Sequence, residues 1–376
     1  MLIKNGLIHD GINKDAYIAD IEIKDGKITK IGKDLIDDEV IDASNLNVYP
    51  GLVEAHCHMG LDGYGIGFER ADCNEYGNPD TPELRAIDGI NPLDPVFEKA
   101  REAGVTTVCT GPGSANVLGG TFAAIKTVGT RIDDMVVKES VAMKCAFGEN
   151  PKRCYKDKGT YSRMSIAANL RNMLFKAKDY MEKKENDEKK PAFDMQMEAL
   201  IPVLKREIPL KAHAHAADDI FTAIRIAKEF NLKLTLEHCT EGHLIADDLI
   251  KENYPMAVGP TLTHATKFEL KDKSWITPKV LSDLGGQVSI ITDSPVIPEQ
   301  HLSMCAALAI KAGMDPFKAL QAITINPAKH IGIEDRVGSL EVGKDGDILI
   351  TRGDLFAIDH DVVKVMINGA VVEDFA

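Results

Sequence analysis

Five histidines and one aspartate carry the chemistry-capable signal of this sequence. His56 and His58 form a His-x-His in VYPGLVEAHCHMG, His213 and His215 form a second in LKAHAHA, and His238 closes LKLTLEH. Asp293 closes QVSIITD. Each stands where a β-rich apolar run gives way to polar residues, which predicts a place at the C-terminal end of a strand. Two imidazoles spaced two apart on a strand point the same way and can bind one metal ion at ~2.0–2.1 Å. A lone His-x-His is weak evidence. Here two more strands end in His and another in Asp, and burying such groups together without partners or a metal is costly. Cys57, Cys145 and Cys239 each follow a candidate site residue directly. If the histidines face inward, alternation turns these thiols outward, where small apolar side chains pack well.

The elements that must position these groups alternate along the middle of the chain. Strand-like runs VTTVCTG, SVAMKCAFG and PMAVGPTLT join those above. Helical patterns such as DDIFTAIRIAKEFN and HLSMCAALAIKAG lie between or after them. This alternation predicts an α/β fold, a (β/α)₈ TIM-like barrel over residues 51–334 whose site lies at the C-terminal ends of its strands. Seven strands are clear. The eighth is expected within 120–140, in TFAAIKTVG or DDMVVKES. Short strands with Asn-Gly and Asp-Gly turns fill residues 1–50 and 335–376, which predicts a small β-sandwich built from both termini. The long stretch 59–92 is a candidate lid, because loops of that length inside a domain are usually functional. It carries Arg70, Asp72 and Glu75. These residues, with His243 and His264, are weaker candidates for the pocket wall. The charged run KKENDEKK (183–190) reads as a solvated helix end or surface loop.

Composition narrows the function classes. The 376 residues carry 44 Lys plus Arg against 58 Asp plus Glu, a formal charge of −14. With no basic block, nucleic acid and anionic membrane are poor partners, and a small-molecule substrate is expected. No apolar run reaches the ~20 residues of a membrane span, and the N-terminus lacks a secretory apolar stretch. The seven cysteines are scattered without a CxxC pair, which fits a reducing cytoplasm better than a disulfide framework. The Gly-rich TGPGSANVLGG lacks GKS or GKT, so no nucleotide loop is assigned.

At VYPGLVEAHCHMG, KAHAHAADDI, TLEHCTEGH, ITDSPVIP and ITINPAKHIGIEDRVGSLEVGKDGDILI the chain resembles the amidohydrolase superfamily over nearly its whole length. Within it, the imidazolonepropionase-like branch, which includes Xaa-Pro dipeptidases, is the nearest in pattern. The resemblance implies His56, His58, His213 and His238 as metal ligands and Asp293 as the last-strand aspartate. His215 then faces the substrate, or exchanges roles with His213. In the fourth strand Lys144 resembles the carboxylated lysine that bridges two metals, and Glu149 is its rival. The choice decides between one ion and two. Zinc is the expected metal, since the donors are imidazole and carboxylate without thiolate, although another divalent ion is open.

The implied activity is hydrolysis of a C–N bond in an amide, a cyclic amide or an acyl-amino-acid or dipeptide substrate. Asp293 would act as the proton carrier and His215 or His238 would steady the oxyanion. Deamination of an aminated heterocycle at the same site is the alternative. A non-catalytic scaffold is a third reading, which the retained ligand set disfavours. Dimers are common among such enzymes, so a homo-oligomer is open, and nothing in the sequence specifies one.

Overall fold

The computed structural model describes residues 1–64, 67–186 and 190–376. The chain opens with β1 (Leu2–Ile8), β2 (Tyr17–Lys24), β3 (Lys27–Gly32), β4 (Val40–Asp42) and β5 (Asn47–Pro50). The barrel strands follow: β6 (Leu52–Cys57), β7 (Val105–Thr110), β8 (Leu118–Lys126), β9 (Val136–Ala146), β10 (Leu210–Ala214), β11 (Leu234–His238), β12 (Met256–Val258) and β13 (Val288–Ile290). β14 (Ile348–Arg352), β15 (Asp361–Ile367) and β16 (Ala370–Asp374) end it. Among the helices are α1 (Pro95–Glu102), α2 (Ile132–Met135), α3 (Glu149–Cys154), α4 (Arg163–Lys184), α5 (Met195–Leu204) and α6 (Ala217–Glu229). After these come α7 (Ala246–Lys251), α8 (Ile276–Asp283), α9 (Leu302–Lys311), α10 (Pro316–Gln321) and α11 (Ile325–Ile331).

Two tight hairpins organise the terminal sheet. Asp25-Gly26 turns β2 into β3 and Asn368-Gly369 turns β15 into β16, all four residues at positive φ, as a two-residue type I′ turn requires. The sheet runs β16-β15-β14-β5-β1-β2-β3, with β4 beside β1. Ile3, Ile21, Val48, Ile348, Ile350 and Met366 from both termini share one apolar cluster. The sheet thus folds over its own core as a sandwich does.

The second sheet runs in sequence order from β6 to β13. It departs from eight repeated βα units at one place. The expected eighth strand is β8, and it pairs antiparallel with both β7 and β9. Residues 111–117 join β7 to β8 without a helix, and a connection that short returns the chain in the opposite direction. DDMVVKES falls on α2 and the start of β9 rather than on a strand of its own. The other neighbouring pairs are parallel.

The seam between β13 and β6 is closed by other means. His58 N–H donates to Ser294 O at 2.7 Å, and Val53 and Ile290 N–H donate to Ile323 and Ala322 O at 2.9 and 2.8 Å. The buried Glu54 carboxylate accepts from His56 N–H and, across the seam, from Thr292 N–H, both at 2.8 Å. α11 packs at the opposite, N-terminal end of the barrel. There Ala328 and Ile331 join Val53, Cys109, Ala142 and Ala257 in one apolar cluster. Cys57, Cys145 and Cys239 lie in the layers between barrel and helices, buried as free thiols. Lys126 on β8 ties the barrel to the terminal sheet through Asp345 and Asp347, just before β14, at 2.9 and 2.6 Å, with all three buried. Among the described residues no helix is long and apolar enough to cross a membrane.

Candidate metal and active site

Strand alternation sets most of the rim. On β10, Lys211 and His213 point into the barrel while Leu210, Ala212 and Ala214 enter the outer apolar cluster. On β9, Lys144 points inward between Met143 and Cys145, which face out. β6 gains one residue on β7 between Glu54 and Cys57. That bulge re-aims the strand end carrying His56 and His58. Alternation alone would turn His238 outward, because Glu237 already faces in. His238 and Cys239 adopt φ of 77° and 43°, and Asp293 adopts 56°. These left-handed conformations are costly for such residues and concentrate at functional sites.

Hydrogen bonds fix the imidazole tautomers. His58 Nδ1 lies 2.7 Å from Gly111 O, and His238 Nδ1 lies 2.7 Å from Gly259 O. A carbonyl only accepts, so each Nδ1 carries the hydrogen and each Nε2 is left with its lone pair or a second proton. His56 Nδ1 lies 3.1 Å from Glu237 Oε2, with the same consequence. The Asp293 Oδ1 atom stands 3.3 Å from His58 Nε2 and 3.6 Å from His56 Nε2. With Nε2 unprotonated, its lone pair faces the carboxylate, a contact that a cation between them relieves. His238 Nε2, Asp293 Oδ1 and both nitrogens of His213 are buried without a hydrogen-bond partner. Ligand atoms of His56, His238 and Asp293 lie within 4.8 Å of one another, as do those of His213, His215 and His238. The donor set therefore fits a divalent ion, and the two groups share His238.

Electrostatics agree with that fit. Burial drives the His56, His213 and His215 imidazoles well below the usual range, and His238 to about 4. Burial opposes ionisation of Asp293, but the neighbouring His238, His58 and His56 outweigh it and hold the carboxyl below the ordinary range. The Lys144 ammonium, fully buried, is pushed down to about 8 by burial. Its Nζ lies 3.1 Å from His56 Nε2. Glu149 opens α3 instead, with its backbone N–H donated to Glu269 Oε2 at 2.8 Å. Of the two rivals, Lys144 is the one brought to the histidines.

The weaker candidates spread out. Arg70 is exposed and paired with Glu69, and Asp72 and Glu75 are exposed beside a cavity of about 270 Å³. His243 bonds Thr277 and His264 is exposed. The stretch 59–92 contains short 3-10 turns at Phe68–Arg70 and Ala86–Asp88, and its residues 65 and 66 lie outside the described residues. Of KKENDEKK, 187–189 also lie outside them, and Lys183 and Lys184 end α4.

Several groups escaped the sequence reading. Glu237 is a buried hub: Oε1 receives Thr235 Oγ1 at 2.7 Å and His330 Nε2 at 2.9 Å, while Oε2 receives Lys211 Nζ at 2.9 Å as well as His56. Burial opposes its charge, yet Lys211 and His330 hold its pKa well below the usual value. Phe122, supplied by the antiparallel β8, lies between Lys144 and Lys211 with each Nζ 5.4 and 5.3 Å from the ring centre, a favourable cation–π distance. Glu269 arrives from the loop after β12, 3.9 Å from Nε2 of both His213 and His215 and 2.7 Å from Lys267 Nζ. Gly148 makes room for it, since a Cβ there would stand 2.4 Å from Glu269 Oε2. Lys211 and Glu237 left one signal, a charge inside an otherwise apolar strand. Glu269 left none.

Fold and site together define a TIM-like barrel protein with a histidine-rich centre at the C-terminal rim. The chain belongs to the amidohydrolase family, whose model matches residues 47–372. It is similar to a solved amidohydrolase from Thermotoga maritima MSB8, at 39% identity over 99% of both chains with a TM-score of 0.96. It is 27% identical to the amidohydrolase tasK of Hapsidospora irregularis over 99% of this chain, which spans 43% of that protein's length. An imidazolonepropionase of Streptococcus pyogenes serotype M1 is 24% identical, covering 90% of this chain and 84% of that one. A Xaa-Pro dipeptidase with bound methionine shares the fold at 18% identity and a TM-score of 0.60, over 99% of each chain.

Proposed function

We propose that this protein is a metal-dependent hydrolase that cleaves the C–N bond of an amide, a cyclic amide or an acyl-amino-acid or dipeptide substrate. The observation that carries the reading is the gathering of ligand atoms of His56, His238 and Asp293, and of His213, His215 and His238, each set within 4.8 Å. His56, His58, His213, His238 and Asp293 would hold the ion, with zinc favoured by imidazole and carboxylate donors. When bound, such an ion lowers the pKa of its water to about 7 and polarises a carbonyl oxygen.

The chain's own groups supply the rest. Asp293, kept ionised at neutral pH, accepts the proton of the attacking water on its carboxylate and passes it to the leaving nitrogen. His213, with both ring nitrogens unpartnered, is assigned as the ligand of its pair. His215, with Nδ1 bonded to Thr240 at 2.7 Å, turns its other nitrogen to the substrate oxygen. Lys144 has no carboxylate within ion-pair range among the described residues, whereas Lys211 is paired with Glu237. A buried amine with its pKa near 8 is available to take up carbon dioxide, forming a carbamate and releasing a proton. That carbamate would provide an oxygen bridge for a second ion. Seven free cysteines, mostly buried, favour a reducing cytoplasm.

Metal analysis of the purified protein, followed by a panel of amides, acyl dipeptides, cyclic amides and aminated heterocycles, tests the reading. Metal-dependent release of amine or ring-opened product is expected. Ammonia from ring amines alone would overturn it in favour of deamination, and a folded, metal-free, inert protein would overturn catalysis altogether.

A further inference from the structure

A second concave feature lies at the other end of the barrel, where β10, β11 and β12 begin. It is a cavity of about 520 Å³ between the strand starts and the ends of α5, α6 and α11, within the usual size for a small-molecule site. Its charge is opposite to that of the chain. Lys138, Arg206, Lys233 and Lys329 line it, and among the described residues none of these four has a carboxylate partner. Lys138 and Arg206 reach only backbone or amide oxygens. A fifth lining cation, Lys228, is paired with Glu252. Glu207 is the one carboxylate in the lining. Over a chain of net charge −14 most cations find an acid nearby. Four that do not, gathered around one cavity, form a local field that attracts anions.

The wall adds a second sign. Buried His330 closes the inner side of the cavity, held there by its Nε2–H donated to Glu237, and Val141, Leu234 and Ile331 add apolar wall. Half-buried Tyr254 supplies an aromatic surface in the same wall. The lining therefore combines cations at the mouth with aromatic and apolar surface behind them. Helix C-termini at this face account for some basic residues. They do not account for an open cavity between them.

We propose that this cavity is a binding site for a small dianion, a phosphate monoester or a dicarboxylate, separate from the rim centre and independent of the reading given for that centre. Lys233 and Lys329, both exposed, would contact the anion by charge-assisted hydrogen bonds. Isothermal titration of the full chain at low ionic strength with glycerol 3-phosphate and, separately, with succinate tests it. The paired variant Lys233→Ala/Lys329→Ala, which alters only exposed side chains, is titrated alongside. Saturable binding of either ligand is expected, with affinity about ten-fold weaker in the variant. A preference for glycerol 3-phosphate identifies the phosphate source, and a preference for succinate the dicarboxylate. Binding that is undiminished in the variant would place the anion elsewhere, at the rim included, and overturn the site. So would the absence of binding by both ligands, which would return these cations to complementing helix ends.

Discussion

The His56 Nδ1 atom lies 3.1 Å from Glu237 Oε2, and that contact links a rim imidazole to a carboxylate placed deeper in the barrel. Glu237 is itself held by Lys211, Thr235 and His330. The ring of His56 is thereby fixed in orientation and tautomer, with Nε2 presented to the centre. A partner of this kind raises ligand basicity as well as aiming it.

Glu237→Gln keeps the shape of the hub but removes its charge. Zinc affinity, read by competition with a chromophoric chelator, is expected to fall about 10–100-fold. Thermal stability is expected to fall too, because Lys211 loses its buried counter-ion. Unchanged zinc affinity in a folded variant would reduce Glu237 to a packing role.

Asp293→Asn tests the proton carrier. The amide retains one oxygen near His58 but is a far poorer base. Turnover is expected to drop by at least the ~10²–10⁴-fold typical of a lost general base, with metal content largely kept. Activity near wild type would remove Asp293 from the mechanism.

Lys126→Met tests the joint between the two sheets. It leaves Asp345 and Asp347 buried without their shared cation. Lys27 and Arg336 still reach Asp345. The expected cost is on the order of 3 kcal/mol, seen as a lower urea midpoint. A midpoint equal to wild type would show that the ion pairs contribute nothing net.

Asp80 sets a pH dependence away from the rim. Burial raises its pKa from 3.8 to about 6, against the hydrogen bond from Asn169. The folded state then binds more protons than the unfolded state between about pH 4 and 6. Its contribution to stability therefore grows as pH falls through 6 and is complete below about 4. At pH 7 the buried charge is a cost of order 3 kcal/mol. Asp80→Asn is expected to stabilise the protein at pH 7 and to flatten the difference between unfolding midpoints at pH 5 and pH 7. An unchanged difference would assign the dependence to another group.

Much of this architecture is legible in the linear chain. Alternation placed His213 and His215 on one face of their strand and turned Cys145 outward on its own, because the period of a strand is a local property of the backbone. The Asp-Gly and Asn-Gly turns are equally local. The antiparallel course of β8 was not legible, since strand direction depends on how a connection packs rather than on its own residues. His238 and Asp293 sit at strand ends as their sequence context implies. Their aim comes from left-handed backbone torsions that no residue type at those positions announces.

The sequence by itself determined the family pattern, the strand ends that carry imidazoles and acid, and the net negative charge. Tertiary structure alone decided that Lys144 rather than Glu149 stands beside His56 and that Glu237 anchors that ring. It alone brought Glu269 in from a distant loop and gathered four unpaired cations around the far cavity. The reason is one of range. Periodicity and turn chemistry act over a few residues, whereas hydrogen bonds and charge act across whatever distance in sequence the folded chain has closed.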